Sequence, residues 1–157
     1  MRIALVGTGQ MGQAVEALAE TQGHEVTARF DADRPLTSAD PDDVGASIAI
    51  DFSLPDVALD HIRWYCRNGV PAVVGTTGWY DGLPRVRNWV DEHNASLLYA
   101  PNFSIGVAVL RRAVAAVGPL LDRLPDYDAF VHEIHHTKKV DSPSGTAQML
   151  GELLVEH

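Results

Sequence analysis

The chain is poor in cysteine and in positive charge. Its 157 residues include one cysteine, Cys66, so no internal disulfide can form and we expect a reducing, cytoplasmic compartment. Lys and Arg number 12 against 21 Asp and Glu, which gives a net charge of −9. No basic face is evident that could neutralise nucleic-acid phosphates or bind an anionic membrane. Nucleic acid and membrane surfaces are therefore excluded from the expected partners.

Long apolar runs are also missing. The longest apolar-looking stretch, 105–121, carries Arg111 and Arg112 at its centre, which excludes a membrane span. The apolar stretch at the N-terminus, 2–6, is too short for a signal peptide. There are no internal repeats and no low-complexity segments.

What the sequence does contain is an alternation of short apolar runs and amphipathic helical patterns. Hydrophobic residues make up 46% and charged residues 21%, which is typical of a soluble protein with a core. We predict strands at 2–6, 25–30, 47–51, 71–75 and 96–100. We predict helices that end near 22 and that span 55–68 and 83–93, with a loop at 31–45. This order favours an α/β fold: a Rossmann-type parallel sheet with helices on both faces.

The pattern changes after Asn102. A helix is predicted at 105–121, an extended segment at 128–136 and a last helix at 146–156. We therefore predict a dinucleotide-binding domain at 1–102 and a partial α+β substrate-binding domain at 103–157. Because a strand without neighbours is not stable alone, either another chain pairs with 128–136 or the sequence is a truncated form.

A glycine-rich motif, Gly7-x-Gly9-x-x-Gly12, follows the first predicted strand and opens a helix. In dinucleotide-binding folds the first glycine permits a tight turn, the second lets the backbone approach a pyrophosphate, and the third lets the helix pack closely. Asp31 ends the second predicted strand, where an acid can bond a ribose 2′-hydroxyl. The combination predicts a dinucleotide site.

The residues around Asp31 bear on the choice of cofactor. A carboxylate there repels a 2′-phosphate, and Ala32 offers no guanidinium to hold one, so NADH should be preferred. Arg29 and Arg34 are close enough in sequence that we expect NADPH to be usable as well. The turns after the third, fourth and fifth strands should line the nicotinamide end, because ligands of open α/β sheets lie at the carboxyl ends of strands. Those turns carry Phe52-Ser53, Gly75-Thr76-Thr77 and Pro101-Asn102-Phe103.

A second concentration of polar groups lies between Glu133 and Thr146. The Gly145-Thr146 turn would offer free backbone N–H groups at a helix N-terminus, which is an anion site. Lys139 adds positive charge, and His135 or His136 could donate a proton near neutral pH. On a regular strand these two histidines face opposite sides, so one of them is the direct donor. These groups suit an anionic substrate that must be protonated.

Five stretches together resemble the dihydrodipicolinate (4-hydroxy-tetrahydrodipicolinate) reductase family. They are Gly7–Gly12, Asp51-Phe52-Ser53, Gly75-Thr76-Thr77-Gly78, Asn102-Phe103-Ser104 and the run from Glu133 to Thr146. The resemblance implies NAD(P)H-dependent reduction of 4-hydroxy-tetrahydrodipicolinate to tetrahydrodipicolinate in diaminopimelate and lysine biosynthesis, carried out by a cytoplasmic homotetramer.

The resemblance also implies roles for individual residues. His135 would be the proton donor and Lys139 the second catalytic residue, while His136, Gly145 and Thr146 would contact the small cyclic dicarboxylate substrate. No metal is implied. The implied cofactor-binding set is Gly7, Thr8, Gly9, Gln10, Met11, Gly12, Asp31, Gly75, Thr76, Thr77, Ala100, Pro101, Asn102 and Phe103.

Four alternatives stay open. Family members are considerably longer, so this chain could be a truncated reductase that binds nucleotide but is catalytically incompetent. A relative of homoserine or 6-phosphogluconate dehydrogenase is a second reading. A metal site at His132-Glu133-Ile134-His135-His136 is disfavoured because side chains on a strand alternate faces. A nucleophilic Ser144 is disfavoured because Pro-Ser-Gly lacks the Gly-x-Ser-x-Gly elbow.

Overall fold

Five short strands form one parallel sheet, as the sequence predicts. The computed structural model describes residues 1–135, 137 and 142–155, and the chain divides into two units, Met1–Pro101 and Asn102–His157. The sheet belongs to the first unit and has the order β2-β1-β3-β4-β5, with every pair parallel. Its strands are Arg2–Val6 (β1), Glu25–Phe30 (β2), Ile48–Asp51 (β3), Ala72–Val74 (β4) and Leu97–Tyr99 (β5).

Helices connect the strands, as parallel pairing requires. They are Gln10–Thr21 (α1), Pro41–Val44 (α2), Pro55–Asn68 (α3) and Leu83–His93 (α4). The predicted limits of α3 are confirmed: proline occupies its first turn, and Gly69 ends it in the left-handed conformation with φ 64°. Both features are usual at helix ends, since proline fits N1 and glycine fits C′.

The prediction of a plain loop at 31–45 is wrong in one respect. This segment contains a 3₁₀ turn at Leu36–Ser38 and the four-residue α2. The Asp40 side chain accepts a hydrogen bond from the Asp42 N–H at 3.0 Å, and Pro41 follows as the first helical residue, which together make an N-cap. Burial of Leu36 and Val44 then fixes the segment against the core.

The carboxyl ends of the strands lie side by side. Val6 is in register with Phe30 on one side and with Asp51 on the other, and Asp51 is in register with Val74. The core beneath them is formed by apolar strand residues and by one face of α3, where Ala58, Ile62 and Tyr65 are almost fully buried. Asp51 is the exception, a fully buried carboxylate at a strand end. The turns that follow these strands therefore share one edge of the sheet.

The second unit contributes two longer helices, Ile105–Leu121 (α5) and Gly145–Val155 (α6). The Ser104 hydroxyl caps α5 by accepting a hydrogen bond from the Val107 N–H at 3.4 Å. Residues 128–135 pair with no strand in the part of the chain that the structure describes. No helix among the described residues has the length and apolar character needed to cross a membrane.

Candidate functional site

The glycine-rich turn packs tightly against the turn that follows β3. Gly7 has φ 89°, and a Cβ placed there would lie 2.4 Å from the Phe52 carbonyl oxygen. A Cβ on Gly12 would lie 2.0 Å from the Gly7 carbonyl oxygen. Both positions therefore need glycine for the fold itself, because any side chain would push α1 or the neighbouring turn away.

Gly9 differs from these two glycines. A Cβ placed there would meet nothing within 4 Å, and its backbone, at φ −72°, suits any residue. It is the N-cap of α1, where no side chain of the described residues caps the helix and the first turn holds no acid. The free N–H groups and the positive end of the helix dipole therefore face open space, which is an arrangement that binds anions.

Two cavities meet at this turn. The larger, of about 460 Å³, is lined by Gly7, Thr8, Gly9 and Asp31 together with an apolar wall that includes Phe30, Leu36 and Val57. The smaller, of about 330 Å³, is lined by Gly9, Gln10, Met11, Gly75, Thr76 and Thr77. Both cavities also touch Phe52 and Ser53. They lie at the point between β1 and β3 where the strand order reverses, which is where open α/β sheets bind ligands.

Asp31 stands at the rim of the larger cavity with its carboxylate held from two sides. Thr8 Oγ1 donates to Oδ2 at 3.0 Å. The backbone N–H groups of Asp33 and Arg34 donate to Oδ1 at 3.0 and 3.1 Å. The Arg34 N–H and the Thr8 hydroxyl are the main causes that lower the pKa of Asp31, so the carboxylate is ionised at neutral pH.

The two arginines near Asp31 are placed differently. The guanidinium of Arg29 forms an ion pair with Glu16 of α1, so its charge is already engaged. The guanidinium of Arg34 lies over the Phe30 ring, 5.1 Å from the ring centroid. Of these two cations, Arg34 is therefore the one beside the apolar wall of the cavity.

A buried carboxylate network that the sequence did not reveal supports the smaller cavity. Tyr65 donates its hydroxyl to Asp51 Oδ2 at 2.8 Å, and His61 Nδ1 lies 3.1 Å from the same oxygen. The Ser53 N–H donates to Asp51 Oδ1 at 2.8 Å. Burial raises the pKa of Asp51, but hydrogen bonds from His61 and Ser53 outweigh it, and the pKa is lowered overall. The available signal was an acid at the end of an apolar strand, with His and Tyr four residues apart on the next helix.

The remaining residues of the predicted cofactor set divide between the two units. Ala100 follows β5, and its N–H donates to the Val74 carbonyl at 3.2 Å, so it lies beside the start of the Gly75 turn. Pro101 ends the first unit, whereas Asn102 and Phe103 belong to the second. There the Asn102 side chain accepts a hydrogen bond from the Ser104 N–H at 2.7 Å, just before α5.

The polar run of the second unit is organised around Glu133. Its Oε1 accepts from the Ser144 N–H at 2.8 Å, and its Oε2 accepts from the Ser144 hydroxyl. Oε2 also lies 3.4 Å from His135 Nδ1. Ser144 Oγ in turn accepts from the Ala147 N–H at 3.1 Å and so caps α6. Glu133 thus contacts both the N-terminus of α6 and the Nδ1 atom of His135.

Gly145 and Thr146 are the first two residues of α6. They lie at a helix N-terminus, as the sequence predicts, and a Cβ on Gly145 would meet nothing within 4 Å. His136 and Lys139, the other residues predicted for this site, lie outside the described residues. Within residues 1–135, 137 and 142–155, no group of three or more His, Cys, Asp or Glu side chains is arranged to hold a metal ion.

Comparison with known proteins gives matches along almost the whole chain. Residues 1–103 match the family described as dihydrodipicolinate reductase, N-terminus, and residues 106–157 match the family described as dihydrodipicolinate reductase, C-terminus.

Curated relatives named 4-hydroxy-tetrahydrodipicolinate reductase are similar over 99% of this chain. They come from Christiangramia forsetii (36% identical), Streptomyces coelicolor (34%) and Staphylococcus aureus strain Newman (37%). The chain spans 64%, 61% and 65% of these relatives' lengths, respectively.

Solved structures share the fold. A dipicolinate-bound dihydrodipicolinate reductase from Paenisporosarcina sp. TG-14 superposes with a TM-score of 0.78 at 24% identity, covering 99% of this chain and 66% of that one. A putative myo-inositol dehydrogenase from Sinorhizobium meliloti gives a TM-score of 0.50 at 16% identity, over 74% of this chain and 41% of that one. With both halves matched in order by the two family models, the chain belongs to the dihydrodipicolinate reductase family.

Proposed function

We propose that this chain carries the nucleotide site and the catalytic run of an NAD(P)H-dependent 4-hydroxy-tetrahydrodipicolinate reductase of diaminopimelate and lysine biosynthesis. The observation that carries the proposal is the shared cavity of the glycine-rich turn and Asp31, in a chain whose two halves match that family in order. In this proposal the dinucleotide-binding domain is 1–102, and 103–157 is part of the substrate-binding and oligomerisation domain.

The larger cavity fits a dinucleotide at several points. The open space beside Gly9 and the uncapped N-terminus of α1 suit a pyrophosphate. The ionised carboxylate of Asp31 can accept hydrogen bonds from ribose hydroxyl groups, and Phe30 offers an apolar surface for a base. When bound, the nicotinamide supplies the hydride.

NADH is the preferred cofactor in this proposal, since a 2′-phosphate would approach the Asp31 carboxylate. Arg34 is the cation that would allow NADPH to be used as well, because its guanidinium lies beside the cavity wall. Arg29 cannot serve in the same way while it is paired with Glu16.

On the substrate side, the chain's own residues would bind an anion and donate a proton. Because His135 Nδ1 faces Glu133, Nε2 is the ring nitrogen directed away from that carboxylate and is the atom we assign as proton donor. The free N–H groups of Gly145 and Thr146, with Lys139 as the second catalytic residue, would hold substrate carboxylates. The dipicolinate bound to the Paenisporosarcina protein supports a small dicarboxylate as ligand.

The alternative is a chain that binds nucleotide without catalysis. It is supported by the second unit, whose described residues include no strand, while the relatives named above are longer than this chain. In a complete reductase, we propose, further chain and a homotetramer would build the substrate site around α5 and α6.

The deciding experiment follows NADH oxidation by this chain with freshly generated 4-hydroxy-tetrahydrodipicolinate, and measures NADH binding by fluorescence in the same preparation. Turnover supports the reductase. Binding without turnover supports the nucleotide-binding fragment, and sedimentation of the same sample reports whether a tetramer forms. Failure to bind either NADH or NADPH in folded protein would overturn both forms of the proposal.

A further inference from the structure

We infer that Asp51 is a positioning residue for the nicotinamide end of the dinucleotide site. Its buried carboxylate fixes the turns after β3 and β4, which line the smaller cavity, and ties both to α3. The inference rests on the proposed function, because it assigns a task to residues around that same site. It concerns three residues to which the family resemblance assigns no role: Asp51, which lies in one of the resembling stretches, His61 and Tyr65.

The two carboxylate oxygens of Asp51 hold different parts of the fold. Oδ2 contacts α3: it accepts a hydrogen bond from the Tyr65 hydroxyl at 2.8 Å and lies 3.1 Å from His61 Nδ1. Oδ1 contacts the two turns: it accepts from the Ser53 N–H at 2.8 Å and lies 3.4 Å from the Thr76 hydroxyl. Because Asp51 is fully buried, these contacts are not shared with solvent.

The two turns are also linked directly to each other. Thr76 Oγ1 lies 3.1 Å from the Ser53 carbonyl oxygen and 3.4 Å from Asp51 Oδ1, so its single hydroxyl proton is shared between these two acceptors. The Phe52 ring lies so close to Gly75 that a Cβ there would be 2.1 Å from Cε1 of the ring. On the far side, Trp79 Nε1 donates to the Thr76 carbonyl at 2.7 Å. Contacts from Asp51, Phe52 and Trp79 therefore hold the two turns, after β3 and β4, that form part of the wall of the smaller cavity.

An ionised carboxylate is the side chain that suits this position. Groups able to donate approach it from Ser53, Thr76, Tyr65 and His61, and a carboxylate is a pure acceptor with two oxygens. An asparagine of the same shape would direct its NH₂ group at donors on one side and would leave a buried donor unpaired. The contacts therefore predict a specific need for aspartate, beyond a need for a buried polar group.

Loss of the Asp51 carboxylate should have a local effect on cofactor binding. Loosening the turns at 52–53 and 75–77 should weaken contacts with the nicotinamide half of the cofactor. The adenosine half would lie in the larger cavity, which the turn at 75–77 does not line, although the turn at 52–53 lines both cavities. Binding of that half should therefore change less. Both a positioning role and a purely structural role would lower stability, but a purely structural role would affect both halves equally.

The test compares binding of NADH and of ADP-ribose, which lacks the nicotinamide, to folded wild-type and variant chains by titration calorimetry. We expect Asp51→Asn to weaken NADH binding by about tenfold or more and ADP-ribose binding by less than about threefold. Tyr65→Phe removes one donor at Oδ2 and should give a smaller change of the same kind. Should Asp51→Asn fail to fold, Tyr65→Phe decides the question, because Tyr65 contacts Asp51 and lines neither cavity.

Tyr80→Phe is the matched control, because the Tyr80 hydroxyl is buried and has no hydrogen-bond partner among the described residues. It removes the same atom as Tyr65→Phe without touching the network and should leave both affinities unchanged. Equal losses for NADH and ADP-ribose, or no loss in any network variant, would overturn the inference while leaving the proposed function in place. A wild-type chain that binds neither ligand would overturn the proposed function itself, and this inference with it.

Discussion

Thr8 Oγ1 donates a hydrogen bond to Asp31 Oδ2 at 3.0 Å, and this contact joins the glycine-rich turn to the end of β2. It keeps the acid at the rim of the larger cavity, beside the free N-terminus of α1. The same bond contributes to the lowered pKa of Asp31. A ribose that enters the cavity would meet a carboxylate that is already ionised and oriented.

The choice between NADH and NADPH should depend on the charge at position 31. Asp31→Asn keeps an oxygen that can accept from the Asp33 and Arg34 N–H groups but removes the negative charge. We expect the ratio of NADH to NADPH affinity to fall by about tenfold. This is the effect of losing one charged hydrogen bond to the NADH ribose, or of relieving one repulsion with the NADPH 2′-phosphate. Fluorescence titration with both cofactors measures this ratio. Arg29→Ala is the control and should leave the ratio unchanged, since the Arg29 guanidinium is paired with Glu16. An unchanged ratio in Asp31→Asn would refute the ribose assignment.

Substitution of Gly9 should separate binding from folding. Gly9→Ala meets no atom of the chain within 4 Å, so the free energy of unfolding should change by less than about 1 kcal/mol, within the range for a lost N-cap glycine. The added methyl occupies the space through which a pyrophosphate would approach, and we expect NADH affinity to fall at least about tenfold.

Gly23→Ala is the control for Gly9→Ala, because it should lower stability without changing NADH affinity. Gly23 has φ 71° after the end of α1, so alanine is strained there by about 1 kcal/mol, yet it does not line either cavity. Stability should fall while NADH affinity holds. If Gly9→Ala binds NADH as tightly as wild type, the turn does not hold a pyrophosphate.

The sheet was predictable because its signal is local. Each strand is a short apolar run with a turn or helix start on either side, and the glycine spacing placed the first turn correctly. The short helix α2 also has a local signal, Asp40 followed by Pro41, but one turn of helix is too short to show periodicity. The sequence pattern therefore indicates a loop there.

The Asp51 network could not be predicted in the same way. His61 and Tyr65 lie on the buried face of α3 with Ala58 and Ile62, and this pattern alone is that of an ordinary apolar face. Only the pairing of β3 with its neighbours and the packing of α3 bring a carboxylate to their polar atoms. Glu133 and Ser144 are a similar case, since the two partners of that bond lie 11 positions apart in the sequence.

Ser144 should matter as a helix cap. Ser144→Ala removes the acceptor for the Ala147 N–H and the hydroxyl contact with Glu133 Oε2, and we expect a cost of about 1 kcal/mol confined to the start of α6. Hydrogen exchange of the Ala147 and Gln148 amides, which donate to Ser144, should quicken accordingly. Ser142→Ala, an exposed neighbour, is the control and should leave these amides unchanged. Equal exchange in both variants would mean that the cap does not stabilise the helix.

Replacement of His135 tests the proposed proton donor. His135→Gln should lower turnover by about a hundredfold or more, the usual effect of losing a general acid, and should leave NADH affinity unchanged. His132→Gln replaces an exposed histidine of the same segment and should retain full turnover. Steady-state rates with saturating NADH make the comparison. Full activity in His135→Gln would remove this residue from the mechanism.

The ionisation of Asp51 should appear in the acid dependence of stability. Its pKa is lower in the folded chain than its ordinary value of about 3.9, so the unfolded chain binds a proton there more readily. The stabilisation is therefore complete above about pH 4 and is lost as the pH falls through the folded value. His61 and Tyr65 are the titratable groups that face this carboxylate; burial and the Asp51 charge raise the pKa of Tyr65 well above its ordinary value, so the phenol remains a donor throughout.

Urea unfolding of wild type and Asp51→Asn between pH 6 and pH 3 measures this contribution (roughly the range over which carboxylates titrate). At the upper end we expect the variant to be less stable by about 3 kcal/mol, since one partner of a buried charged network is lost. The difference should shrink toward the acid end, because asparagine has no proton to gain while the wild-type carboxylate does. A difference that stays constant across the range would mean that Asp51 takes up its proton equally in the folded and unfolded chains, and that the hydrogen bonds around it do not favour its charged form.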